Sequence, residues 1–220
     1  MRLNFTAIAA LTLVITANAS AVTFYTISGV TSATSGTDFF AAANLIQGVG
    51  VGFSASAPHD RTSSLTWVTA GNGADYFAAL PNPRPRLVFD LGADTELNEI
   101  SLWGYANTNA NGVRTFDLRF ATAADGPAGL GTSILYNPSF TLASQSETLR
   151  QSFEFNKLIA RYVEILPTDN FRGFGFLTPG GDRVGLGEVA FAVPVPEPTT
   201  AMCGLVALSG LALRRHRAAA

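Results

Sequence analysis

The chain has 220 residues, of which 47% are apolar and 14% charged, with a formal charge of −2, a pI near 5.6 and one cysteine. Globular chains carry roughly a quarter charged residues, and the absence of a Lys/Arg excess to neutralise phosphates excludes a basic nucleic-acid binder. Aromatics at 10% supply enough apolar surface for a packed core, which excludes collagen-like and disordered classes.

The apolar excess begins at the N-terminus. Met1-Arg2 is followed by an apolar run from Phe5 to Ile15 and then by Ala17-Asn18-Ala19-Ser20-Ala21. One positive charge, an apolar stretch too short to span a bilayer and two overlapping small-x-small sites predict a secretory signal peptide over residues 1–21. Signal peptidase would cut after Ala19 or Ala21. A buried N-terminal helix would need a polar face, and this run shows none.

From residue 22 to 193 the pattern is that of short strands. The first falls at 23–28, with a helical turn near 39–45. Arg86-Leu87-Val88-Phe89-Asp90-Leu91 stops at Gly92, Gly92-Ala93-Asp94-Thr95 reads as a turn, and a second strand follows over 97–105. After the polar loop Asn107-Thr108-Asn109-Ala110-Asn111-Gly112, the segment 113–121 places Phe116, Leu118 and Phe120 at period two, with Asp117 and Arg119 on the opposite face. Further strands are expected at 139–142, 149–155, 161–166 and 184–192. Each is bounded by Gly, Pro, Asn or Asp, and no window carries a sustained helical period, so the expected fold is an all-β, two-sheet antiparallel sandwich.

The order of short motifs narrows this. Asn44-Leu45-Ile46-Gln47-Gly48, Thr66-Trp67, Leu87 to Gly92, Asn98-Glu99-Ile100-Ser101-Leu102, Gly112 to Phe116, Ala160 to Ile165 and Gly187-Glu188-Val189 succeed one another over about residues 40–192. The series resembles a discoidin-like domain, the factor V/VIII C-type or galactose-binding-like jelly roll. The resemblance implies a two-sheet sandwich with Trp67 and Trp103 in its core and ligand-binding loops at one end. It also implies a structural calcium, and here the sequence departs from the pattern. Gln47 replaces an acidic residue, Leu65 stands where a threonine is common two places before the Trp, and Gly48 to Gly52 form an insert. Glu188 matches the family's late glutamate and Asp60 lies in the inserted loop, so their oxygens, with backbone carbonyls, are the candidate calcium donors. The alternatives are a Glu188 that caps backbone amides and an Asp60 that is simply solvated.

The C-terminal part, residues 194–220, has three pieces: Pro196-Glu197-Pro198, an almost uncharged run from Thr199 to Leu213, and the basic end Arg214-Arg215-His216-Arg217. A run of this length is marginal for a membrane span, and the arginines would stay on the cytoplasmic side. The arrangement resembles the PEP-CTERM sorting signal of Gram-negative, exopolysaccharide-producing bacteria. The resemblance implies that an exosortase recognises Pro196-Glu197-Pro198 and cleaves nearby. After transient anchoring in the inner membrane, the protein would pass to the envelope, the extracellular matrix or the medium. Cys203 lies in this tail, so the part between the two signals has no cysteine with which to form a disulfide.

Between the signals there is also only one histidine, His59, which leaves Cys–His catalysis and multi-His zinc sites without their residues. His59-Asp60 beside Ser63 and Ser64 lacks a nucleophile elbow, and the Gly-rich stretches lack the Lys-Ser/Thr of a phosphate cradle. A non-enzymatic binding role remains. Sugar recognition uses aromatic plates with Arg, Asn and Asp to fix hydroxyls. Loop-borne residues of those types include Trp67, Tyr76, Phe77, Trp103, Tyr105, Asn107, Asn109 and Arg114. The segment Asn170-Phe171-Arg172-Gly173-Phe174-Gly175-Phe176 interleaves aromatics with glycine and is the best candidate contact loop. The expected ligand-binding set is therefore Phe171, Arg172, Phe174, Phe176, Asn107 and Arg114. Two functions are open at this point: binding of exopolysaccharide or another cell-surface glycan, and a structural matrix subunit in which the same aromatics pack against protein. A glycan-active hydrolase is a distant third.

Overall fold

The computed structural model describes residues 22–34, 40–46, 66–78, 83–105, 110–130, 137–145, 149–174 and 179–194. In chain order their strands are β1 (Val22–Phe24), β2 (Gly29–Ser32), β3 (Trp67–Val68), β4 (Leu87–Trp103), β5 (Val113–Ala121), β6 (Ser139–Thr141), β7 (Gln151–Asn170), β8 (Gly185–Leu186) and β9 (Glu188–Pro194), with short 3-10 helices at Ala42–Ile46 and Pro127–Gly129. Every pairing of these strands is antiparallel.

Two long strands build both layers. The first residues of β4 lie between β2 and the second half of β7, with Val88 opposite both Thr31 and Glu164. Its last residues lie between β9 and the first half of β7, with Ser101 opposite both Ala190 and Ser152. One layer is thus β2, early β4, late β7, β5 and β6; the other is β1, β9, late β4 and early β7. This is the expected all-β jelly-roll sandwich, and alternation decides which side chains enter it. On β5, Phe116, Leu118 and Phe120 are fully buried while Asp117 and Arg119 are not. Ring pairs close the gap between layers: Phe89 meets Phe191 at 5.4 Å between centroids, Phe116 meets Phe153 at 5.4 Å, and Phe120 meets Phe155 at 5.0 Å. Each pair takes one ring from each layer.

The turn expected at 92–95 is instead a bulge inside one strand. The β4–β7 register shifts between Asp90 and Thr95, and pairing then resumes at Thr95 opposite Ala160. Gly92 has φ +82 and gives its N–H to Asp90 Oδ1 at 2.8 Å, as a turn residue would. The chain does not reverse because β7 bends alongside it and carries the ladder round the corner. A side chain at Gly92 would also meet Ser28, whose Oγ lies 2.5 Å from the position of a Cβ. For the same reason the strands expected at 149–155 and 161–166 are the continuous β7. The strand expected at 184–192 splits at Gly187 into β8, paired with β3, and β9, paired with β1 and β4.

Glu164 is an unusual outward-facing residue of this framework. Val163 and Ile165 on either side enter the core, yet the Glu164 side chain is only 2% exposed, between Arg86 at 3.3 Å and Arg119 at 3.6 Å. Burial pushes its carboxyl above the usual glutamate value, and the two guanidinium groups pull it part of the way back. In the window between the unfolded and the raised native value the native state holds more protons, so stability falls as pH rises through it. Urea denaturation of the wild type and of Glu164→Gln across weakly acidic pH should therefore show this downward slope in the wild type alone. Parallel stability curves would contradict the assignment.

Candidate functional site

β5 begins and β7 ends at the same end of the sandwich, where Val113 pairs with Asn170. Two loops are tied to that end by backbone hydrogen bonds. Leu142 N–H donates to Arg114 O at 2.7 Å, which fixes the loop after β6, and Phe171 N–H donates to Gly112 O at 3.2 Å, which fixes the loop after β7. Gln151, the first residue of β7, holds the first loop further. Its Oε1 accepts from Ala143 N–H at 2.7 Å and Ser144 N–H at 3.2 Å, and its Nε2 donates to Ser144 O. Gln145 Oε1 accepts from Gly112 N–H at 3.2 Å. The Gln145 backbone lies directly on Gly104, where a Cβ would stand 2.2 Å from the Gln145 carbonyl carbon. Only glycine allows that approach.

Asparagine side chains complete the scaffold. Asn111 Oδ1 accepts from Gly181 N–H at 2.5 Å and Arg183 N–H at 3.3 Å, while Asn170 Nδ2 donates to Gly181 O at 3.0 Å and Arg183 O at 3.1 Å. Asn170 and Asn111 are both buried, and together they join the segments 110–112, 170–172 and 181–183 into one rigid end.

Between the loops lies a cleft of about 420 Å³ lined by Arg114, Leu142, Ala143, Ser144, Gln145, Phe171 and Phe174. Leu142 and Phe171 are buried, whereas Phe174 is 43% exposed. The difference within one short loop comes from its turn: Phe174 N–H donates to Phe171 O at 3.0 Å, and Gly173 between them has φ +77. The Arg114 guanidinium carbon lies 3.5 Å from the centroid of the Phe174 ring. Arg114 Nη1 donates to Asp169 Oδ2 at 2.6 Å, and Asp169 Oδ1 accepts from Asn170 N–H at 2.9 Å. The cleft thus offers an exposed aromatic ring, an apolar floor and a guanidinium held in one plane. That combination suits a ligand with a C–H face and a rim of hydroxyls.

Of the expected ligand-binding set, the structure gathers Arg114, Phe171 and Phe174 in this cleft. Arg172 faces elsewhere: its Nε lies 3.3 Å from Asp75 Oδ2 and its Nη1 donates to Ala74 O, which braces the turn before Phe77. Asn107, Phe176 and Asp60 lie outside the described residues, as do Gln47, Leu65, His59 and the sorting residues Pro196, Glu197, Pro198, Arg214, Arg215 and Arg217. Glu188 is buried opposite Trp103 at the start of β9. Among the described residues no group of three or more His, Cys, Asp or Glu is placed to hold a metal ion. Trp67, Tyr76, Trp103 and Tyr105 are buried and serve the fold rather than a ligand.

The sequence reading missed Asp169 and the loop residues Ser144 and Gln145. Asp169 carries a signal in hindsight, as an acidic residue directly before the aromatic-glycine segment. The small polar residues after β6 carry none, because Gln151, Gly104 and Gly112 place them.

No protein-family model matches this sequence, and no curated protein does. Solved structures share the fold. A truncated AlyQ with CBM32 and alginate lyase domains superposes with a TM-score of 0.51 at 21% identity, covering 81% of this chain and 35% of that one. The CBM32-1 and CBM32-2 domains of Clostridium perfringens ZmpB, in complex with GalNAc, give 0.51 at 12% identity over 76% of this chain and 34% of that one. The chain spans about a third of the length of each of these two structures. The family 32 carbohydrate-binding module of C. perfringens NanJ, in complex with galactose, gives 0.48 at 12% identity over 79% of this chain and 100% of that one.

Proposed function

We propose that the chain is an exported, non-catalytic glycan-binding protein whose jelly roll takes a saccharide in the cleft between the loops at 142–145 and 171–174. The observation that carries this reading is the Arg114–Phe174 pair: an exposed ring and a guanidinium fixed in contact at the mouth of a cleft built on a rigid sheet end. The likeness to folds that include carbohydrate-binding modules supports it by analogy. Residues 1–21 act as the signal peptide, 22–193 as the binding domain and 194–220 as the sorting tail. An exosortase reads Pro196-Glu197-Pro198 and delivers the domain to the envelope or the extracellular matrix, where exopolysaccharide is the natural ligand.

The test is a glycan array with the protein recovered from producing cells, followed by titration of the best ligand into Phe174→Ala. Phe174 is half-exposed and its ring meets the Arg114 guanidinium, so its truncation should lower stability by about 1 kcal/mol. Loss of the stacking surface should weaken binding by about tenfold. Unchanged affinity would remove the cleft from the account.

A further inference from the structure

The charge arrangement of the cleft points to the class of sugar it takes, an inference that rests on the glycan-binding reading above. Among the described residues that line the cleft, the charged one is Arg114. Its charge is already met by Asp169 at 2.6 Å, and that carboxylate is itself held by the Asn170 N–H. One face of the guanidinium is covered by the Phe174 ring at 3.5 Å. An anionic sugar approaching Arg114 would have to meet the Asp169 carboxylate beside it, with the face over Phe174 closed. A neutral sugar meets no such repulsion, because hydroxyls can accept from the in-plane N–H groups that Asp169 does not engage.

We propose that the cleft binds neutral glycans and turns away uronates and sulfated sugars, with Asp169 as the residue that sets this choice. Asp169 does so by occupying Arg114, much as a like charge placed in a pocket rejects the wrong partner. The substitution Asp169→Asn keeps an acceptor for the Asn170 N–H but removes the negative charge, so Arg114 becomes available to a ligand carboxylate.

The experiment compares neutral hexose oligosaccharides with oligomannuronates of the same length, titrated into the full-length wild type, Asp169→Asn and the double variant Arg114→Ala/Asp169→Asn. The wild type should bind a neutral oligosaccharide with affinity nearly constant between about 0.05 and 0.5 M salt, and should bind oligomannuronate about tenfold or more weakly than the neutral sugar. Asp169→Asn should gain oligomannuronate binding of about tenfold or more, weakened by salt, and the double variant should lose that gain. Wild-type preference for oligomannuronate would overturn the proposal while leaving glycan binding intact. Failure of Asp169→Asn to gain it would overturn the role of Asp169. Failure of the wild type to bind any glycan would overturn the binding reading itself, and this proposal with it.

Discussion

Phe116→Ala is expected to lower the folding stability by about 3–5 kcal/mol, the range found when a large buried aromatic is truncated. Phe116 is fully buried, and its ring touches Phe153 across the sandwich and Phe140 on the adjacent strand, at 5.4 and 5.6 Å between centroids. Phe140 and Phe153 also touch each other, at 5.2 Å, so the truncation removes one corner of a triangle of rings. The remaining two stand on separate strands, β6 and β7, and cannot both move into the space without breaking their ladders. Equilibrium urea denaturation should show a lower midpoint with the slope unchanged. A loss below about 1 kcal/mol would mean that the layers collapse onto the gap, and that the ring triangle is not what holds them at this distance.

Gly104→Ala should leave the sandwich folded and remove glycan binding by about tenfold or more, at a stability cost of about 1–3 kcal/mol. The added Cβ would stand 2.2 Å from the carbonyl carbon of Gln145, and the obstructing atoms are backbone rather than the end of a flexible side chain. The loop at 142–145 must therefore lift. Lifting it breaks the Gln145 acceptance from Gly112 and the bonds that the Ala143 and Ser144 N–H groups donate to Gln151 Oε1, and the cleft loses one of its sides. Amide exchange would distinguish this from direct loss of a contact. Gly104→Ala should speed exchange at Ala143 and Ser144, whereas Phe174→Ala should leave it unchanged. Full affinity in Gly104→Ala would show that the loop at 142–145 has no part in the site.

How far the sequence foretold these features depended on whether the signal was periodic. The alternation Phe116, Leu118, Phe120 announced β5 and its buried face, and Arg161-Tyr162-Val163-Glu164-Ile165 announced the return strand, because a half-buried strand must repeat every two residues. The bulge in β4 could not be told from a turn. Asp90, Leu91 and Gly92 satisfy the local chemistry of either, and the difference lies in β7, more than sixty residues away in sequence. β3 is too short to carry any period. It exists because Trp67 and Val68 meet Leu186 and Gly185.

The candidate site divides in the same way. The aromatic-glycine segment was visible as an exposed loop that is hard to bury, and Arg114 as a loop-end guanidinium, but nothing in the linear chain says that they touch. The strand register does so. It brings the start of β5 against the end of β7, and the left-handed Gly173 then sends Phe171 inward and Phe174 outward. Arg172, between the two phenylalanines, is carried to the other side and spends its charge on Asp75. Residue type marked all three as candidates, and backbone conformation separated them.

The measurement that bears most directly on the account is backbone NMR of the isotopically labelled protein during titration with the best neutral oligosaccharide. The largest shift changes should cluster at Arg114, residues 142–145, Phe171 and Phe174, while the far end of the sandwich, around 92–97 and 156–160, stays still. Shifts concentrated at that far end, or no saturable shifts with any glycan, would contradict it.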